Sequence, residues 1–119
     1  KRPDTPLLEA AQYRNGAWAP SGELSGGVAQ VQGNCDTWQV EGAQSRGNRE
    51  VLERDQTFTH QPKGILVIGS TTQLASLDQR RSFELYRRNL ANPDVLTFDE
   101  LYERARFIVE QGPEEPAAT

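Results

Sequence analysis

One cysteine, one histidine and no methionine occur among the 119 residues. A lone thiol closes no internal disulfide, and Cys35 and His60 together cannot supply the several converging ligands of a zinc site. No run approaches the roughly 20 apolar residues of a membrane-spanning helix, and no secretory leader opens the sequence. These absences lead to the expectation of a reducing, cytoplasmic setting with no membrane partner. An excess of positive charge is missing too: the formal net charge is -4 and the sequence pI about 5.0. Small dedicated nucleic-acid-binding domains carry the opposite balance, so any DNA contact must be local.

The length suits one domain with one core. With 35% hydrophobic residues, 25% charged and a mean hydropathy of -0.72, the chain is polar for a compact globule. Exposed or unpaired segments are expected, and a missing piece of the fold would account for them. Lys1-Arg2-Pro3 opens without an initiator methionine, which reads as a start inside a longer protein.

Asn15-Gly16 between Tyr13 and Trp18 signals a hairpin or tight turn. Leu24, Val28, Val31, Cys35 and Trp38 recur at helical spacing, predicting a helix from near Ser21 with that serine as N-cap. Glu23 in its first turn suits the helix dipole. Gly26, Gly27 and Gly33 weaken such a helix and imply close packing against another backbone. From Glu41 to Phe58 the sequence is polar and is expected to be a loop leading to a short exposed helix near Val51-Leu52.

The second half alternates more clearly. Ile65-Leu66-Val67-Ile68, bounded by Gly64 and Gly69, predicts a central parallel strand. Leu77 and Asp78 open a helix with Phe83, Tyr86 and Leu90 on one face, closed by Asn92-Pro93. Val95 to Phe98 reads as a second strand. Asp99 to Gln111 carries Leu101, Tyr102, Ala105, Ile108 and Val109 at helical spacing, with Thr97 or Asp99 as cap and Gly112-Pro113 as stop. The tail, 113–119, is expected to be disordered. Strand, helix, strand, helix with short connections predicts adjacent parallel strands, with Phe83, Tyr86, Leu101 and Ile108 packing on them.

Few residues offer chemistry on their own. His60 reads as an exposed loop histidine and Cys35 as a small core residue. Gly64 and Gly69 lack the spacing of a phosphate-binding loop. Arg80, Arg81, Arg87 and Arg88 form two pairs seven residues apart and could touch phosphates, or form a solvated face compensated by Asp78 and Glu84.

Lys1-Arg2-Pro3 resembles the segment just after the acidic residue in the Glu-x-Lys part of the PD-(D/E)XK motif, as it occurs in the Shedu antiphage nuclease family. The likeness continues through Gly22-Glu23-Leu24-Ser25, Ala29-Gln30, Pro62 to Gly69, Arg81-Ser82-Phe83-Glu84, Leu90 and Val95 to Leu101. It covers nearly all of the chain. The resemblance implies an α/β, restriction-endonuclease-like fold, present incompletely over residues 1–112. It implies a metal-dependent DNA nuclease acting in antiphage defence, with Mg²⁺ held by acidic residues that precede the lysine in the parent domain. Lys1 would orient or deprotonate the attacking water and stabilise charge on the phosphate, while Gln30 would position water. Asn34 stands where related nucleases often carry a tyrosine. Homo-oligomers are implied by the resemblance alone.

Two other readings stay open for these residues. Lys1 is otherwise an ordinary charged terminus and Gln30 a helix residue at the core boundary, in a non-catalytic interaction or regulatory module. A nucleotide-binding or transferase domain would use the crevice beyond Ile68 and Thr97, but needs a phosphate-binding turn that the sequence lacks. Without upstream carboxylates the chain itself is expected to hold Mg²⁺ poorly and cut nothing.

Overall fold

The computed structural model describes residues 1–44 and 62–111. The expected short helix near Val51-Leu52, His60 and the tail 113–119 all lie outside them. The described residues form a small α/β unit of three α-helices and a two-stranded parallel sheet.

The N-terminal segment folds back on itself before any helix begins. Gly16 adopts φ +80°, a conformation glycine enters without a Cβ penalty, and Arg14 bridges Ala17 across the turn. Leu8 and Pro20 form a second antiparallel bridge, so the expected hairpin extends further than its Asn-Gly signal alone indicates. Trp18 N–H donates to Ser82 Oγ at 3.0 Å, tying the hairpin to the second helix.

Helix α1 spans Gly22–Gln44. Ser21 caps it: its Oγ accepts from Leu24 N–H at 3.0 Å and donates to the Pro6 carbonyl at 2.7 Å. Leu24 and Val28 enter the core, Val31 packs at its edge, and Cys35 is half-buried. Trp38, expected on the same face, is 63% exposed. Residues 41–44 belong to the helix and not to the expected loop. The helix outruns what it packs on, since 23 residues extend about 35 Å and a three-residue strand only about 10 Å.

Strand β1 (Ile65–Val67) pairs in parallel with β2 (Asp94–Leu96), with Leu66 opposite Val95. Asp94 N–H to Gly64 O and Ile68 N–H to Leu96 O continue the ladder at both ends. Helix α2 (Leu77–Arg88) crosses between them and sends Phe83 into the core, fully buried. Its start is a capping box: Ser76 accepts from Gln79 N–H, and the Gln79 side chain accepts from Ser76 N–H.

Phe98 opens helix α3 (Phe98–Gln111) instead of ending a strand. Thr97 caps it, with Glu100 Oε1 accepting from Thr97 N–H at 3.0 Å. Only the first turn touches the sheet. Leu101 is 41% exposed and Ile108 67%, so the expected packing of these two on the strands is overturned, while that of Phe83 and Tyr86 holds. The reason is again length: α3 extends about 21 Å and leaves a sheet that covers half of that.

Candidate active-site face

Lys1 lies on the edge of β1 away from β2. Its amino group donates to Val67 O at 3.0 Å, and Gly69 N–H donates to Arg2 O at 3.0 Å, so residues 1–2 run alongside β1 in the same direction. The side chain then crosses to α1. Lys1 Nζ lies 3.2 Å from Glu23 Oε2, and a Cβ built on Gly27 would sit 3.4 Å from Lys1 Cε and 3.1 Å from a Leu66 methyl. Gly27 therefore acts as a close-packing glycine, whereas Gly26 and Gly33, expected to do the same, have nothing within 4 Å of an added Cβ.

Gln30 stands exposed one turn beyond Gly27, on the face that also carries Glu23. No hydrogen bond links Gln30 to Lys1 among the described residues. The helix thus brings Glu23, not Gln30, onto the lysine. Nothing in the sequence marks that pairing, since the two residues are 22 positions apart.

Among the described residues no three His, Cys, Asp or Glu side chains converge as a metal site would require. The carboxylate beside Lys1 is already paired with it. The described residues do not make a shell for Mg²⁺.

The arginines of α2 separate into two directions. Arg87 turns inward: its guanidinium donates to Glu100 at 2.6 and 2.7 Å and to Val95 O at 3.2 Å, pairs with Glu84, and sits 4.7 Å from the Phe83 ring centroid. The hydrogen bond to Glu100 raises the Arg87 pKa beyond its already high value, against desolvation. Reciprocally, the Arg87 hydrogen bond lowers Glu100. Arg80 Nε donates to Leu74 O at 3.1 Å. Arg81 and Arg88 lie on the exposed face.

At the carboxyl ends of both strands, where parallel sheets usually receive ligands, Asp99 accepts from Thr71 Oγ1 and from Thr71 N–H at 3.1 Å. Desolvation pushes this carboxyl up, but hydrogen bonds from Thr71 and Thr97 outweigh it and hold the pKa at about 2. An anionic side chain there disfavours the phosphate that a nucleotide-binding crevice would take.

Residues 1–102 match the family described as Shedu protein SduA, C-terminal. The chain belongs to this Shedu family. Shedu protein SduA of Bacillus cereus (strain B4264) is 35% identical over 111 residues, which cover 92% of this chain and 29% of that protein. The family match ends in the first turns of α3, whereas the alignment with the Bacillus cereus protein, covering 92% of the chain, takes in most of that helix as well. Among the described residues no helix is long and apolar enough to cross a membrane.

Proposed function

We propose that this Shedu chain is the C-terminal part of a metal-dependent DNA nuclease of the restriction-endonuclease-like class, acting in antiphage defence. Lys1 supplies the positive charge of the cleavage centre. The observation that supports this most is the anchoring of Lys1 on the β1 edge, with its partly exposed ammonium group held beside Glu23 of α1. An ammonium so placed orients a water nucleophile and stabilises negative charge developing on a phosphate oxygen. Gln30, one turn from Gly27, holds water at the same face.

The acidic ligands for Mg²⁺ come from residues outside this chain, in keeping with its matching only 29% of the Bacillus cereus protein. Alone, the chain cleaves nothing. Arg81 and Arg88 contact DNA phosphates, and the complete protein assembles with copies of itself in the cytoplasm.

The test compares the 119-residue chain with the complete gene product containing it, on linear and supercoiled DNA, with and without Mg²⁺. Cleavage confined to the complete protein and Mg²⁺, and strongly reduced by Lys1→Ala, supports the proposal. Full cleavage by the isolated chain, or an unimpaired Lys1→Ala protein, sinks it. An interaction module is the second reading, favoured by the exposed Leu101, Tyr102, Ile108 and Val109 on α3. It would bind a partner normally after Lys1→Ala.

A further inference from the structure

We infer that Glu23 is the positioning residue for Lys1, an inference that rests on the nuclease reading and names a part of that site which no motif supplies. Lys1 is restrained along its whole length. Its backbone is fixed at Val67 O, its stem passes close over Gly27, where an added Cβ would lie 3.4 Å from Cε, and its head meets Glu23 Oε2 at 3.2 Å. A free lysine has four side-chain torsions to order before its charge acts at one place. Here the helix carries the counter-ion that orders them.

The pair does little for stability. Its side chains are 33% and 61% exposed, and exposed ion pairs contribute little to folding. What the contact does is fix where Nζ sits. The backbone of Glu23 is itself held, being in the first turn of a helix whose cap, Ser21, donates to the Pro6 carbonyl and accepts from Leu24 N–H.

Glu23 acts through Lys1 and not on the phosphate or the attacking water, which sets a pattern distinct from that of a DNA-binding or structural residue. Losing a negative charge near DNA strengthens binding, while losing the placement of Nζ slows the chemical step. In the complete gene product, Glu23→Ala should lower kcat about tenfold, with KM for DNA unchanged or reduced and thermal stability retained. Glu23→Gln still offers an oxygen to Nζ and should recover most of kcat. Lys1→Ala combined with Glu23→Ala should be no slower than Lys1→Ala alone.

The outcomes separate the two ideas. Wild-type kcat in Glu23→Ala beside a strongly slowed Lys1→Ala overturns the positioning role and leaves the nuclease reading standing. A further loss in the double variant also overturns it, because Glu23 would then act independently of Lys1. Full activity in Lys1→Ala, or no cleavage by the wild type, overturns the nuclease reading beneath it.

Discussion

Arg87 of α2 donates to Glu100 in the first turn of α3 at 2.6 and 2.7 Å, and the same guanidinium reaches the Val95 carbonyl of β2 between them. One side chain thus joins two helices and the outer strand, and it covers a carbonyl that would otherwise point from a free sheet edge.

Replacing Arg87 should therefore be read as a stability change. Arg87→Ala leaves Glu100 and the Val95 carbonyl without this partner and uncovers the Phe83 ring, costing about 2 kcal/mol. The partial exposure of the pair keeps the cost below that of a fully buried ion pair. Arg87→Lys should recover only part, since an ammonium cannot reproduce the paired geometry of a guanidinium. Chemical denaturation measures both. Unchanged stability together with weakened DNA binding would return Arg87 to the solvent face.

Asp99 sets an acid limit on the fold. Its folded pKa of about 2 lies below the ordinary 3.8, so its stabilisation is fully present above the unfolded value and is lost as pH falls through the folded one. Glu100, lowered by Arg87, acts in the same direction. The denaturation midpoint should hold steady at neutral pH and decline between about pH 4 and 2. Asp99→Asn should flatten the decline and lower the plateau. An equal acid slope in wild type and Asp99→Asn would locate the sensitivity elsewhere.

Much of the sheet was legible because a β-branched run between glycines has few other uses, and Ser21 and Asn15-Gly16 announce their own local geometry. Trp38, Leu101 and Ile108 failed for a different reason. Helical spacing shows that residues share a face, but not whether anything lies opposite it, and the strands end before these helices do. The arginines divide by angle: neighbours on a helix diverge by 100°, so Arg87 follows Phe83 toward the core while Arg88 faces outward. Glu23 was visible as a helix-start acid, but its partner comes from another part of the chain.

Gly69 links the candidate lysine to the sheet. At φ +65° it donates to Arg2 O and accepts from Phe98 N–H, and an added Cβ would lie 2.8 Å from Thr5 O and 2.7 Å from a Leu7 methyl. The left-handed backbone costs a non-glycine residue about 1–2 kcal/mol. Overpacking adds about 1–3 kcal/mol. Gly69→Ala should therefore lower the urea midpoint sharply. A variant as stable as wild type would show that residues 1–7 do not pack on β1 as described.

Arg81 and Arg88 carry the proposed phosphate contacts from one exposed face of α2. Each alanine substitution should reduce the slope of log K against log salt by about 1, uniformly across DNA sequences. Stability should change by less than about 0.5 kcal/mol. Filter binding or fluorescence anisotropy from low to moderate salt distinguishes this from a merely solvated face, for which neither slope nor affinity would move.

Lys1 and Gln30 should differ in how their loss is distributed between binding and chemistry. An ammonium beside the scissile phosphate stabilises charge that grows as the reaction proceeds, so removing it acts on kcat, by about 10²–10³-fold if it equals one oxyanion-stabilising donor. A neutral amide that holds water has no net charge to offer the transition state, and its loss should cost about tenfold or less. Gln30→Glu is the sharper comparison. It keeps the length of the side chain but places a carboxylate on the same helix face as Glu23, where it would compete for Lys1 Nζ and repel the incoming phosphate. Gln30→Glu should consequently be slower than Gln30→Ala and bind DNA more weakly, with the gap narrowing as salt screens the charge. Equal rates for the two variants at low salt would place Gln30 outside the field of the site and leave Lys1 with its ion-pair partner as the chemistry this chain contributes.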